Sequence, residues 1–202
     1  MKQVTYGFFG EDKGQGEFLA HYLVKLASRH PVLFEAHPWY SRKFQGINNK
    51  GVDSGFRNAW LAAFVKGELD CLFVGRDLDA DTDAVRTERL ALFASRTADI
   101  PRPDWWARTV FILPMQCIEH WLLALQRRAA GRPSKDTRDL EGIVNDAVKR
   151  ELYDEYPRTP PTQTKDELVA ALAAAMDIDW LAEVSHSFRL FHEEVGAYVA
   201  KL

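Results

Sequence analysis

The residues best suited to chemistry lie in two acidic groups, Glu11 with Asp12 and Glu17, and Asp77, Asp79, Asp81 and Asp83 in the run GRDLDADTDA. Acids alternating along one short segment repel each other unless solvent, an arginine or a cation offsets them. A hard divalent ion is the economical compensation, since Mg²⁺ takes carboxylate and water oxygens and commonly uses one or two protein carboxylates. With one or two such metals, a phosphodiester can be cut by an activated water while the ions stabilise the attacking and leaving oxygens. Asp81 and Asp83 suit the role of caps for a following helix, and Asp12 is balanced between cap and ligand.

Acids so far apart in sequence meet only if the fold brings them to one edge. Apolar runs at 4–9, 32–36, 69–75 and 109–113 read as strands, each followed by a helical pattern. Phe18, Leu19, Tyr22, Leu23 and Leu26 form one helix face, and Phe56, Trp60, Leu61, Phe64 and Val65 a second. A third helix covers 83–96, and Ile118, Trp121, Leu122 and Leu125 mark a fourth that fades at Gly131. This alternation predicts an α/β fold with a parallel, Rossmann-like sheet, whose ligands gather at the carboxyl ends of the strands. Residues 37–53 are polar and read as a loop. Beyond Gly131 only helical patterns remain, at 139–152, 165–176 and 187–202, with capping-box spacing at Thr164 and Glu167. The expected organisation is a core over 1–131 and an all-helical extension over 132–202, packed together as one structural domain.

Composition narrows the function. The net charge of −3 argues against a free-standing nucleic-acid binder but not against nucleic acid as a substrate. Lys13, Arg42, Lys43, Lys50 and Arg76 are the candidates for guiding it. Arg127, Arg128, Arg132 and Lys135 either complement a helix dipole or touch phosphates. The absence of a long apolar run or a signal-peptide pattern leads to the expectation of a cytoplasmic protein with no membrane partner. Cys71 and Cys117 lie in apolar segments and read as buried, reduced thiols rather than a disulfide or metal–thiolate site. The acids at 77, 79, 81 and 88 match EF-hand spacing, but Thr82 replaces the required glycine and a strand precedes the loop. A receiver-like domain, with Glu11, Asp12 and Asp77 around a phosphorylated Asp77, is a stronger rival. It lacks a lysine after the fourth strand, where Met115, Gln116 and Cys117 stand.

FFGEDKGQGEFL, with Glu11, and LFVGRDLDAD, with Asp77 and Asp79, resemble Toprim domains, in which a Glu ends the first strand and an Asp-x-Asp pair ends a later one. The chain is also similar to the small Toprim-like proteins of the RloB and OLD-nuclease type found in bacterial defence loci. That likeness rests on Glu17, Phe18 and Leu19, on CIEHWLLAL with Glu119 and Trp121, and on Ser187 to Phe191. Their usual Glu-Gly-x-x-acid turn is replaced, with five residues between Glu11 and Glu17. The resemblance implies a Mg²⁺- or Mn²⁺-dependent nuclease or nickase, acting on DNA rather than RNA, beside an ABC- or AAA-type ATPase and as a possible homo-oligomer. It implies Glu11 as general base or metal ligand, Asp77 and Asp79 as metal ligands, and Glu17 and Glu119 as further ligands. The alternative is a non-catalytic subunit whose acids hold a structural cation while the Trp-rich helices dock the ATPase.

Overall fold

A computed structural model describes residues 1–38, 40, 44, 48–134, 138–154 and 164–202. Four strands, β1 (Lys2–Gly10), β2 (Val32–Ala36), β3 (Cys71–Gly75) and β4 (Thr109–Ile112), form one parallel sheet in the order β2-β1-β3-β4. The chain steps from β1 to β2 on one side, then crosses back over β1 to place β3 on the other. The crevice between the ends of β1 and β3 is therefore the topological switch point, where open α/β sheets bind ligands. Gly10 pairs with Gly75, and Gly75 with Ile112, so the carboxyl ends of β1, β3 and β4 stand level.

Strand residues alternate between two covered faces, which is why β3 reads as an unbroken apolar run. Val4, Tyr6, Phe73, Val110 and Ile112 face α1 (Lys13–Ala27), α5 (Glu119–Ala129) and the C-terminal helices. Phe9, Leu72, Val74 and Phe111 face α2 (Asn48–Leu61), its π-helical continuation Ala62–Lys66, α3 (Asp83–Thr97) and the short α4 (Pro103–Trp106). The molecule is a three-layer α/β/α arrangement.

The loop expected over 37–53 is only partly one, because α2 already begins at Asn48. Val52, Phe56, Ala59 and Trp60 give it a buried stripe, but Asn48, Asn49 and Gly51 are poor helix formers and hide the first turn. Arg42 and Lys43 lie outside the described residues. The extension holds α6 (Arg138–Glu141), α7 (Asn145–Asp154), α8 (Lys165–Ala174), α9 (Ile178–Val184) and α10 (His186–Val199). The helix expected over 139–152 is thus two, and α9, capped by Asp177 and burying Ile178, Leu181 and Val184, is not among the expected helices. The capping box at Thr164 and Glu167 is present. No helix among the described residues is long and apolar enough to cross a membrane.

The extension shares the core of the sheet. Phe188 meets Phe18, Tyr22, Trp121 and Phe191 with ring centroids 5.2–6.1 Å apart, and the Trp121 indole donates to Ser187 Oγ at 2.9 Å. On the outer edge of β4, Glu194 Oε2 accepts the Phe111 N–H at 3.1 Å, while its Oε1 accepts from Arg86 at 2.6 Å. Truncating fully buried Phe188 to alanine is expected to cost about 3–5 kcal/mol, read as a lower urea midpoint with unchanged slope.

Candidate metal centre

Glu11 directly follows β1, and Asp77 stands two residues beyond β3. Glu11 Oε2 accepts the Asp77 N–H at 3.1 Å, and the Glu11 N–H reaches the Gly75 carbonyl at 3.2 Å, so the two strand ends are tied across the switch point. Asp77 is 4% exposed. Its Oδ1 accepts from Gln15 Nε2 at 2.8 Å and from the Ile118 N–H at 3.2 Å. Ligand atoms of Asp77, Cys117 and Glu119 all lie within 4.8 Å of one another, which brings Glu119, the first residue of α5, to the same place.

Asp79 closes the loop after β3 with a left-handed backbone, φ +53°. Its carboxylate accepts from the Asn49 amide at the start of α2 and from the Asn145 amide at the start of α7, the latter at 3.2 Å. Asn49 Oδ1 and Asn145 Oδ1 are buried and have no hydrogen-bond partner among the described residues. From α7, Lys149 comes within 3.9 Å of Glu119, and the Tyr153 hydroxyl donates to Glu119 Oε1 at 3.4 Å. Asn145, Lys149 and Tyr153 stand four residues apart, on one stripe of the helix.

Burial raises Asp77 well above the ordinary carboxylate range, and the charges of Glu11, Glu119 and Asp12 push it further. Glu11 is also raised, by burial first; the hydrogen bond from Asp77 works against the rise, and Asp12 and Asp79 add to it. Partial burial works against the Lys149 ammonium, but Glu119, Cys117, Asp77 and Glu11 outweigh it and raise its pKa. Arg76, 6% exposed, donates to the Asp77 carbonyl and lowers Glu11, but its charge is shared with Asp53 at 2.9 Å, which also holds Arg89 at 2.6 Å. Carboxylates outnumber the cations available to them.

The donor set fits a hard divalent ion. The carboxylates of Asp77 and Glu119 converge, and beside that group Asp79 is flanked by two buried amide oxygens without donors; oxygen donors of this kind suit Mg²⁺ or Mn²⁺. Cys117 does not make it a thiolate site. Burial, with the Glu119 and Asp77 charges, pushes its thiol far up. His120 Nε2 faces the Ile143 carbonyl at 2.7 Å, and its Nδ1 lies 3.2 Å from the Cys117 carbonyl and 3.4 Å from the Cys117 thiol. Cys71 is likewise a free, buried cysteine.

The other sequence candidates fall elsewhere. Asp12 is the N-cap of α1, accepting the Gln15 N–H at 2.9 Å. Glu17 lies one turn into α1, half exposed, and pairs with His21 at 3.3 Å rather than joining the cluster. Asp81 and Asp83 do not cap α3: Thr82 holds that position, and Asp83 binds His186 at 2.9 Å. Arg76 is buried, its guanidinium bound to Asp53 and to the Asp77 carbonyl, whereas Lys13 and Lys50 are exposed at the starts of α1 and α2. Arg127 is paired with Glu151, and Arg128 with Asp177. Lys135 lies outside the described residues.

No family model, curated protein or solved structure matches this chain. The site therefore rests on its own chemistry.

Sequence reasoning missed Gln15, Asn49, Asn145, Lys149 and Tyr153. The i, i+4, i+8 spacing of the last three was visible, but not the cluster they face.

Because Asp77 is raised in the folded state, the metal-free protein binds more protons there than the unfolded chain does. Its stability then falls as pH rises from the unfolded value of 3.8 toward the folded pKa. Asp77→Asn is expected to raise the melting temperature at pH 7 without metal by about 2–4 °C per kcal/mol of relieved charge. The gain should vanish on acidification, as thermal melts across pH will show.

Proposed function

We propose that this chain is a Mg²⁺- or Mn²⁺-dependent phosphodiesterase acting on nucleic acid, with Glu11, Asp77, Asp79 and Glu119 forming its metal centre. The observation that carries the reading is the convergence of Glu11, Asp77 and Glu119 at the switch point of a parallel sheet, without enough cations to offset them. A metal bound there supplies a water activated at neutral pH and stabilises charge on the phosphate oxygens.

The chain's own groups have distinct tasks in this reading. Asp77 and Glu119 hold the ion. Glu11 keeps one oxygen on the Asp77 N–H, and its other oxygen can accept the proton of the attacking water. Asp79, clamped between α2 and α7, completes the donor set. Lys149, nearly half exposed, offers its ammonium to a substrate phosphate at the mouth, and Lys13 and Lys50 extend positive charge on either side. An acidic protein that cuts nucleic acid needs such local basic points rather than a net positive charge. The resemblance to Toprim-like defence proteins supports DNA over RNA, an ABC-type ATPase as protein partner and a role in anti-phage defence.

Supercoiled plasmid and single-stranded RNA, incubated with Mg²⁺ or Mn²⁺, are the direct test, with any ABC-type ATPase found encoded beside the gene added in a parallel series. Cutting by the wild type should fall at least ~10²-fold in Asp77→Asn and Glu11→Gln, both verified as folded. No cutting by any form in either series would overturn the nuclease reading.

A further inference from the structure

Gln15 is fully buried although it lies in the first turn of α1, where polar residues ordinarily face water. Glycine at position 75 makes this possible: a Cβ there would stand 2.4 Å from Gln15 Oε1. The Gln15 amide is used at both ends. Oε1 accepts the Glu11 N–H at 3.2 Å, and Nε2 donates to Asp77 Oδ1 at 2.8 Å. Reversing the amide would set two N–H groups against each other and two oxygens against each other, so its orientation is determined. The Ile118 N–H donates to the same Asp77 oxygen at 3.2 Å.

We propose that Gln15 is a positioning residue that leaves Asp77 one oxygen, Oδ2, for a cation and so biases the centre toward a small octahedral ion. This rests on the metal-centre reading above. Ca²⁺ accepts bidentate carboxylates and irregular, larger coordination shells, whereas Mg²⁺ demands near-octahedral geometry. Turning the Asp77 carboxylate to present both oxygens would strip Gln15 Nε2 and the Ile118 N–H of their acceptor in a buried place, which opposes the bidentate mode. Gln15 thus disfavours Ca²⁺ through Asp77 without touching any ion itself.

Titration calorimetry with Mg²⁺, Mn²⁺ and Ca²⁺ chlorides on the full chain tests this, comparing wild type, Gln15→Leu and Gln15→Met, each first shown to melt cooperatively. Both substitutions remove the donor to Asp77, and Gln15→Met keeps the side chain's length should the leucine variant fail to fold. The wild type is expected to prefer Mg²⁺ and Mn²⁺ over Ca²⁺, with that preference falling about tenfold in the variants. Folded variants that bind cations with the wild-type preference would overturn the role of Gln15 and leave the metal centre standing. A wild type that binds none of the three ions would overturn both.

Discussion

A carboxylate buried among other carboxylates, Asp77, is the constraint around which the crest of the sheet is organised. Buried charge is tolerated only where donors or a counter-ion meet it. Donors arrive from α1 through Gln15 and from the start of α5 through Ile118, and the Asp77 N–H is itself taken by Glu11. Bringing them together needs level strand ends and a glycine on β3. It also needs a loop that continues the β3–β4 pairing past the strands, with Arg76 N–H on Ile112, Leu78 on Pro114 and Asp79 on Gln116. Asp79 and Gln116 both adopt positive φ in that continuation, a local cost of the kind proteins retain at sites of use.

The helices beyond Gly131 are a wall of the site as well as a cover for the sheet. Glu141 of α6 is buried and accepts from Ser185 Oγ, Ser187 N–H and Ser187 Oγ at 2.6–2.9 Å, which fixes the start of α10. A few residues later the chain enters α7 and delivers Asn145, Lys149 and Tyr153 to the acids. Arg127 of α5 holds the outer side of α7 through Glu151. Losing the extension would therefore expose the apolar face of α1 and α5 and open one side of the acidic cluster together.

The strands were legible because each is a short apolar run bounded by turn residues, and periodicity located them with ends displaced by a residue or two. Glu11, Asp77 and Glu119 were legible because strand order determines which loops share an edge. What stayed hidden depends on packing. Gln15 looks like any first-turn polar residue until Gly75 is seen to leave it room. Glu17 looks like a site acid, yet its helical phase turns it to solvent and His21. Arg76 stands beside the acids in sequence, and only the packing reveals its side chain bound to Asp53 and the Asp77 carbonyl. The first turn of α2 was obscured by glycine and asparagine, although Asn49 belongs to the site.

The Glu194 contact on β4 also bears on how this molecule can meet others. A free strand edge is a template on which another chain can lay a strand. Here a side chain from α10 occupies the outward Phe111 N–H and is held by Arg86, so the sheet is terminated at that border. At the opposite border, three of the five residues of β2 are exposed, Leu33 among them. If this sheet is ever extended by a neighbouring polypeptide, the polarity of the fold directs that growth to the β2 side, away from the strand ends that carry the acids on β3.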